Sequence, residues 1–182
     1  MATSTTGVTV PLAEYLETSY RPDCDWIDGE RIERNMGEKP HTRIQQFLCQ
    51  YLGNRERELD ILVYPEQRVQ TSETHYRVAD VCVTRRGSAE DMDELIVTTP
   101  PLLCVEVLSR RDGLIDMQDR VDDYTAMGTG QVWVIDPFRR RAYIANEQGF
   151  LRPEENVLTV AGTGIRVPLE EMFAALETKS SR

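Results

Sequence analysis

Two apolar strands separated by one amphipathic helix dominate the middle of the chain: PPLLCVEVLSRRDG at 100–113, LIDMQDRVDDYTAMG at 114–128 and QVWVIDP at 131–137. Leu114, Met117, Val121, Tyr124 and Met127 recur at helical spacing, and Gly128 is placed to cap the helix C-terminus. A helix of this length lets the chain cross back, which makes the flanking strands parallel neighbours joined by a right-handed connection. Strands in such a unit are buried on both faces and read as unbroken apolar runs. The first run is broken by one residue, Glu106.

An ionised carboxylate inside an apolar strand must be paired, bind a cation or give up its charge. A second acid, Asp80 in RVADVCV, is embedded the same way. Alternation places Val78, Asp80 and Cys82 on one face of their strand, and Cys104, Glu106 and Leu108 on one face of theirs. If these strands are neighbours, the carboxylates converge, an arrangement suited to a hard divalent cation such as Mg²⁺. Such an ion activates water and stabilises charge on a phosphoryl group. The plainer alternative pairs each acid with one of the chain's many arginines. Arg120, with Asp116 and Tyr124 at i−4 and i+4, is either that cation or half of a surface pair worth about 0.3–0.5 kcal/mol.

The rest of the chain suggests helices and strands in mixed order. VPLAEYLETS starts a short helix with Thr9 as a candidate N-cap and Pro11 at an early position. Asp28-Gly29 between Trp26-Ile27 and Arg31-Ile32 signals a hairpin. Ile44, Phe47, Leu48, Tyr51 and Leu52 give PHTRIQQFLCQYLGNRERELD one apolar stripe and make it the clearest helix. ILVYPEQRVQ and HYRVADVCVT read as strands around a TSET turn, followed by an acidic loop, SAEDMDE. RRRAYIANEQG returns as a hairpin partner of VWVID; short strands between Leu158 and Val167 and a final helix, PLEEMFAAL, complete the pattern. The packing expected is a central mixed sheet flanked by helices, one domain over 1–182, with loose tails at 1–8 and 177–182.

Composition excludes several classes. An apolar fraction of 40% and a charged fraction of 29% suit a globular chain, and no stretch resembles a signal peptide or membrane span, so a cytoplasmic location is expected. Cys24, Cys49, Cys82 and Cys104 are widely spaced without a CxxC pair, so they read as reduced structural residues. A net charge of −10 argues against coating nucleic acid non-specifically, although it permits a local basic groove.

Taken together, RVAD(80)VCV, LLCVE(106)VLSRRD and DMQDR(120)VDDYTAMGTGQVWVIDP resemble the Uma family of restriction-endonuclease-like proteins, a branch of the PD-(D/E)XK nucleases. The similarity extends from WIDGERIE through PHTRIQQFL to VWVIDP. It implies an α/β restriction-endonuclease-like core with an N-terminal hairpin extension, and a DNA endonuclease using Mg²⁺ or Mn²⁺ held by Asp80 and Glu106. Leu108 stands where the superfamily's usual lysine would be. In this branch the following helix supplies that lysine ahead of a tyrosine, and Arg120 occupies the matching position. Ala79 replaces the family's usual proline. Arginine holds phosphate or transition-state charge but does not readily take a proton from water. The implied catalytic set is therefore Asp80, Glu106 and Arg120, with a metal-activated water and Arg120 as an electrostatic clamp.

The resemblance also places His41 where the family often has histidine, so it is a candidate substrate contact, with local hydrogen bonding at a helix start as the alternative. Ser109, Arg110, Arg111 and Tyr124 join it as candidate substrate-binding residues. Glu38 is expected to cap the long helix rather than bind metal, Ser109 and Asp112 to make turn bonds, and Asp136 to shape the turn before Pro137. Arg85-Arg86, Arg110-Arg111 and Arg139-Arg140-Arg141 would form a phosphate-facing rim if they gather on one side; otherwise they are solvated strand ends. Two functions follow: a DNA endonuclease, expected to act as a homodimer on two strands, or an impaired nuclease fold kept as a binding or dimerisation module, with Arg120 neutralising Asp80 and Glu106.

Overall fold

A computed structural model describes residues 7–35, 37–87 and 94–177. The acidic loop expected at SAEDMDE, apart from Glu94, and most of the expected loose tails lie outside these residues. The described elements run β1 (Val8–Thr9), α1 (Leu12–Glu17), β2 (Cys24–Ile27), β3 (Glu30–Glu33), α2 (Lys39–Gly53), α3 (Glu56–Leu59), β4 (Ile61–Gln70), β5 (His75–Arg85) and β6 (Leu103–Val107). They continue with α4 (Leu114–Met127), β7 (Val132–Asp136), β8 (Arg141–Asn146), β9 (Gly149–Leu151), β10 (Val157–Thr159), β11 (Arg166–Pro168) and α5 (Leu169–Ala174).

The strand–helix–strand unit forms as its pattern requires. Strands β6 and β7 are parallel, with Glu106 opposite Val134, and α4 connects them. Gly128 ends α4 with φ 96°, a left-handed conformation that glycine adopts without a Cβ clash. Around this unit one mixed sheet of nine strands is ordered β1-β3-β2-β5-β6-β7-β8-β9, with β4 along the other edge of β5. The two faces carry different helices. Ile44, Leu48 and Leu52 of α2 are fully buried with Val81, Val83, Leu103, Val105, Trp133 and Ile135. Met117, Val121 and Tyr124 of α4 pack on Cys82, Cys104, Val132 and Val134. Odd and even strand positions thus face opposite layers, as the period of two dictates.

Strand β5 positions the site because its second edge is shared. At one end His75 and Tyr76 pair with β2; further along, Val81, Cys82 and Val83 pair with β6. Backbone ladders leave a gap between them, and carboxylates occupy it: Asp25 accepts the Val78 N–H at 2.9 Å and Asp80 accepts the Val107 N–H at 2.7 Å. The β2–β3 hairpin turns at Asp28 (φ 48°) and Gly29 (φ 90°), consistent with the primed hairpin turn that Asp-Gly favours. Tyr15, Trp26 and Tyr76 seat this N-terminal extension against the sheet.

Some local expectations change. Thr9 lies in β1, and α1 begins after Pro11, since Thr9 is paired with Glu30 and is two residues too early to cap. Glu38 holds the N-cap position of α2 without making a side-chain cap bond; its carboxylate pairs with Arg110 at 3.1 Å instead. The four cysteines are free, three of them buried. No helix of the described residues is long and apolar enough to cross a membrane.

Candidate active site

The last β5–β6 pair before the strands part is Val81 with Val105, and the same register carried one residue further sets Asp80 opposite Glu106. Both carboxylates are buried, at 2% and 1% exposure. Arg34 lies between them: its Nη2 donates to Asp80 Oδ1 at 2.8 Å and to Glu106 Oε2 at 3.2 Å. The other oxygens are occupied too. His41 Nε2 lies 3.2 Å from Asp80 Oδ2, and the Tyr124 hydroxyl donates to Glu106 Oε1 at 2.7 Å.

Arg120 reaches in from α4. Its Nη1 donates to Glu106 Oε2 at 3.0 Å and its Nη2 lies 3.2 Å from Asp25 Oδ2. The exposed Asp116–Arg120 pair is therefore replaced by a buried one, because a helix packed over the sheet turns Arg120 toward it. Among the described contacts Arg120 does not touch Asp80; the arginine that neutralises both acids is Arg34. Asp25 also binds Arg77 at 3.0 Å, and Arg77 continues to Asp123 at 2.6 Å. Three carboxylates, Asp25, Asp80 and Glu106, thus interleave with three guanidinium groups, Arg34, Arg77 and Arg120.

The two central acids differ electrostatically. Burial pushes Asp80 up, but Arg34 and the His41 hydrogen bond outweigh it and hold the carboxyl well below its usual range. Burial dominates at Glu106 and leaves it raised despite Arg120 and Arg34, with Asp80 and Asp25 adding repulsion. Of the pair, Glu106 is the one that keeps a proton more readily. Burial would lower His41, yet its bond to Asp80 leaves the imidazole raised.

The other candidates surround this cluster. Ser109 and Asp112 make the expected turn, the Ser109 N–H donating to Asp112 Oδ2 at 2.5 Å, and Asn35 donates to Asp112 Oδ1 at 2.6 Å. Arg110 stacks over Phe138 at 4.7 Å, while Arg111 is exposed. Tyr124 is fully buried. Asp136 accepts the Phe138 and Arg139 N–H groups, as a turn former should. Only two of the three basic clusters gather: Arg110 joins Arg139 and Arg141 around a cavity of about 790 Å³. Arg86 sits at the opposite end of the sheet beside Glu56, because β5 runs antiparallel to β6.

Sequence reasoning missed Asp25, Arg77 and Arg34. Asp25 carries the same signal as Glu106, an acid in an apolar strand, within CDWI. Arg77 is its basic counterpart in HYRVADV. Arg34 follows the exposed hairpin strand and has no signal of its own; only the fold brings it to the carboxylates.

A mixed sheet with α2 and α4 on opposite faces and an acid pair at the point where two strands part defines a nuclease-like α/β fold. A solved protein from Anabaena variabilis, described as "a putative nuclease belonging to DUF820", shares it with a TM-score of 0.79 at 18% identity over 92% of this chain and 99% of that one. A family model described as "Uma2: Putative restriction endonuclease" matches residues 12–176, and the chain belongs to that family. Family and fold together support a nuclease. No curated protein matches.

Proposed function

We propose that the protein is a DNA endonuclease that hydrolyses phosphodiester bonds with Mg²⁺ or Mn²⁺ held by Asp80 and Glu106. The observation that carries this reading is a single guanidinium nitrogen within hydrogen-bonding distance of both carboxylates, which marks a place built for a shared cation. The donor set fits a hard ion that needs one or two carboxylates and completes its shell with water and phosphate oxygens. Among the described residues no group of three or more His, Cys, Asp or Glu side chains could hold a metal. When bound, such an ion supplies an activated water and charge for the phosphoryl group.

The chain's own residues set the geometry. Tyr124 and Arg120 orient Glu106, and the Val107 N–H and His41 orient Asp80. Arg120 then acts behind the carboxylates as a positioning residue, joined to Asp25 on its far side. Across the Ser109–Asp112 turn, Arg110, Arg139 and Arg141 with Phe138, Tyr143 and Phe150 line the cavity described above. Arginines suit phosphate and aromatic rings suit bases, so this wall is the substrate side in our reading. A homodimer would present one carboxylate pair to each strand of a duplex.

A second reading has one observation in its favour. All four oxygens of Asp80 and Glu106 already accept from protein donors, which suits a closed fold used for binding or dimerisation. Incubating assorted DNA with Mg²⁺ or Mn²⁺ and comparing wild type with Glu106→Ala separates the two. The endonuclease reading expects cleavage by wild type alone; equal cleavage by both proteins, or none by wild type, rejects it.

A further inference from the structure

One cation already joins Asp80 and Glu106, and a side chain supplies it. Arg34 Nη2 takes one oxygen of each acid, Asp80 Oδ1 and Glu106 Oε2, the two residues that would hold a divalent ion. A guanidinium and an ion placed there together would repel at contact distance. We infer that Arg34 is the tethered cation of this site and competes with a divalent ion for those oxygens, so that metal enters only as Arg34 leaves. The inference rests on the proposed metal-holding role of the pair.

Charge pairing supports it. With Arg34 seated, Asp80, Glu106 and Asp25 each meet a guanidinium group without any ion, while Asp123 lies beyond Arg77 and His41 beside Asp80. Arg120 cannot take over, because it spans Glu106 and Asp25 rather than Glu106 and Asp80. The anchoring of Arg34 is also incomplete. Its Nε is buried without a hydrogen-bond partner, whereas Arg68, a structural arginine, uses Nε, Nη1 and Nη2 on Asp23, Tyr15 and Thr18. An arginine that leaves a donor unsatisfied loses less on withdrawing than one whose donors are all bonded. Arg34 also belongs to the segment between β3 and α2, outside any ladder, so its movement breaks no strand pairing.

The test is Mn²⁺ binding to the full chain by calorimetry, comparing wild type, Arg34→Gln and Arg34→Lys. Competition predicts that Arg34→Gln binds Mn²⁺ at least about tenfold more tightly than wild type, while Arg34→Lys, which keeps a charge, stays close to wild type. Arg34→Gln should also melt lower than wild type in chelator and gain more in Tm on adding Mn²⁺, and Asp80→Asn in that background should abolish the gain. Equal or weaker binding by Arg34→Gln overturns the inference. So does an Arg34→Gln protein that fails to fold even with Mn²⁺ present, since the ion would then be unable to replace the arginine. Tight binding by Arg34→Gln with no DNA cleavage by wild type upholds the competition and rejects the endonuclease reading. Mn²⁺-dependent cleavage by wild type, with no tighter binding in Arg34→Gln, does the reverse.

Discussion

Arg120 shows how far one side chain's meaning depends on what packs over it. On an isolated helix it pairs with Asp116; beneath the packed α4 it joins Glu106 to Asp25 with only 14% of its side chain exposed. Removing it leaves two buried carboxylates short of a partner, so Arg120→Ala should cost about 3–5 kcal/mol, read from urea unfolding, while Asp116→Ala should be close to neutral. A loss as small for Arg120→Ala as for Asp116→Ala would show that the network is not formed. His41 offers a pH readout. Its folded pKa is raised above the unfolded 6.5, so the folded state binds the proton more tightly. The stability this contributes is complete below about pH 6.5 and is lost as pH rises through the folded value. In chelator, wild-type Tm should therefore fall across that window and His41→Asn should flatten the fall; parallel profiles would contradict the His41–Asp80 bond.

Secondary structure was legible where a periodic pattern and its end signals agreed. The stripe Ile44, Leu48, Leu52 and the β6–α4–β7 unit form because each buries one face against the sheet, a contribution of about 1.5–3 kcal/mol per fully buried large side chain, although the single helix read through NRERELD ends at Gly53 and a separate α3 follows where the apolar stripe runs out. Leu48→Ala should accordingly lower stability by about 2–5 kcal/mol in denaturant unfolding without altering the Asp80–Glu106 geometry. The candidate site was legible only in part. Strand alternation places Asp80 and Glu106 on definite faces, but their alignment depends on β5 and β6 pairing with Val81 opposite Val105, a long-range register that spacing does not encode. Asp25 and Arg34 reach the site only because β2 pairs with β5 across some fifty positions of chain, Trp26 with Tyr76. Thr9 and Glu38 looked like caps by residue type, yet a strand partner and an arginine claimed them first.

At the scale of the whole molecule, a chain of net charge −10 must bind DNA through local basic surface if it binds at all. In the proposed reading that surface is the gathering of Arg110, Arg139 and Arg141 at one end of the sheet. Arg139→Glu with Arg141→Glu should weaken DNA binding and reduce its salt dependence, whereas Arg86→Glu, at the other end, should leave both unchanged. The same fold concentrates buried charge where the second edge of β5 passes from β2 to β6, and there the central claim can be checked directly. Crystals soaked with Mn²⁺ should show an anomalous peak between Asp80 and Glu106, coordinated by one oxygen of each, with the Arg34 guanidinium displaced. Arg34 still bridging the two carboxylates at saturating Mn²⁺, with no peak between them, would contradict the account.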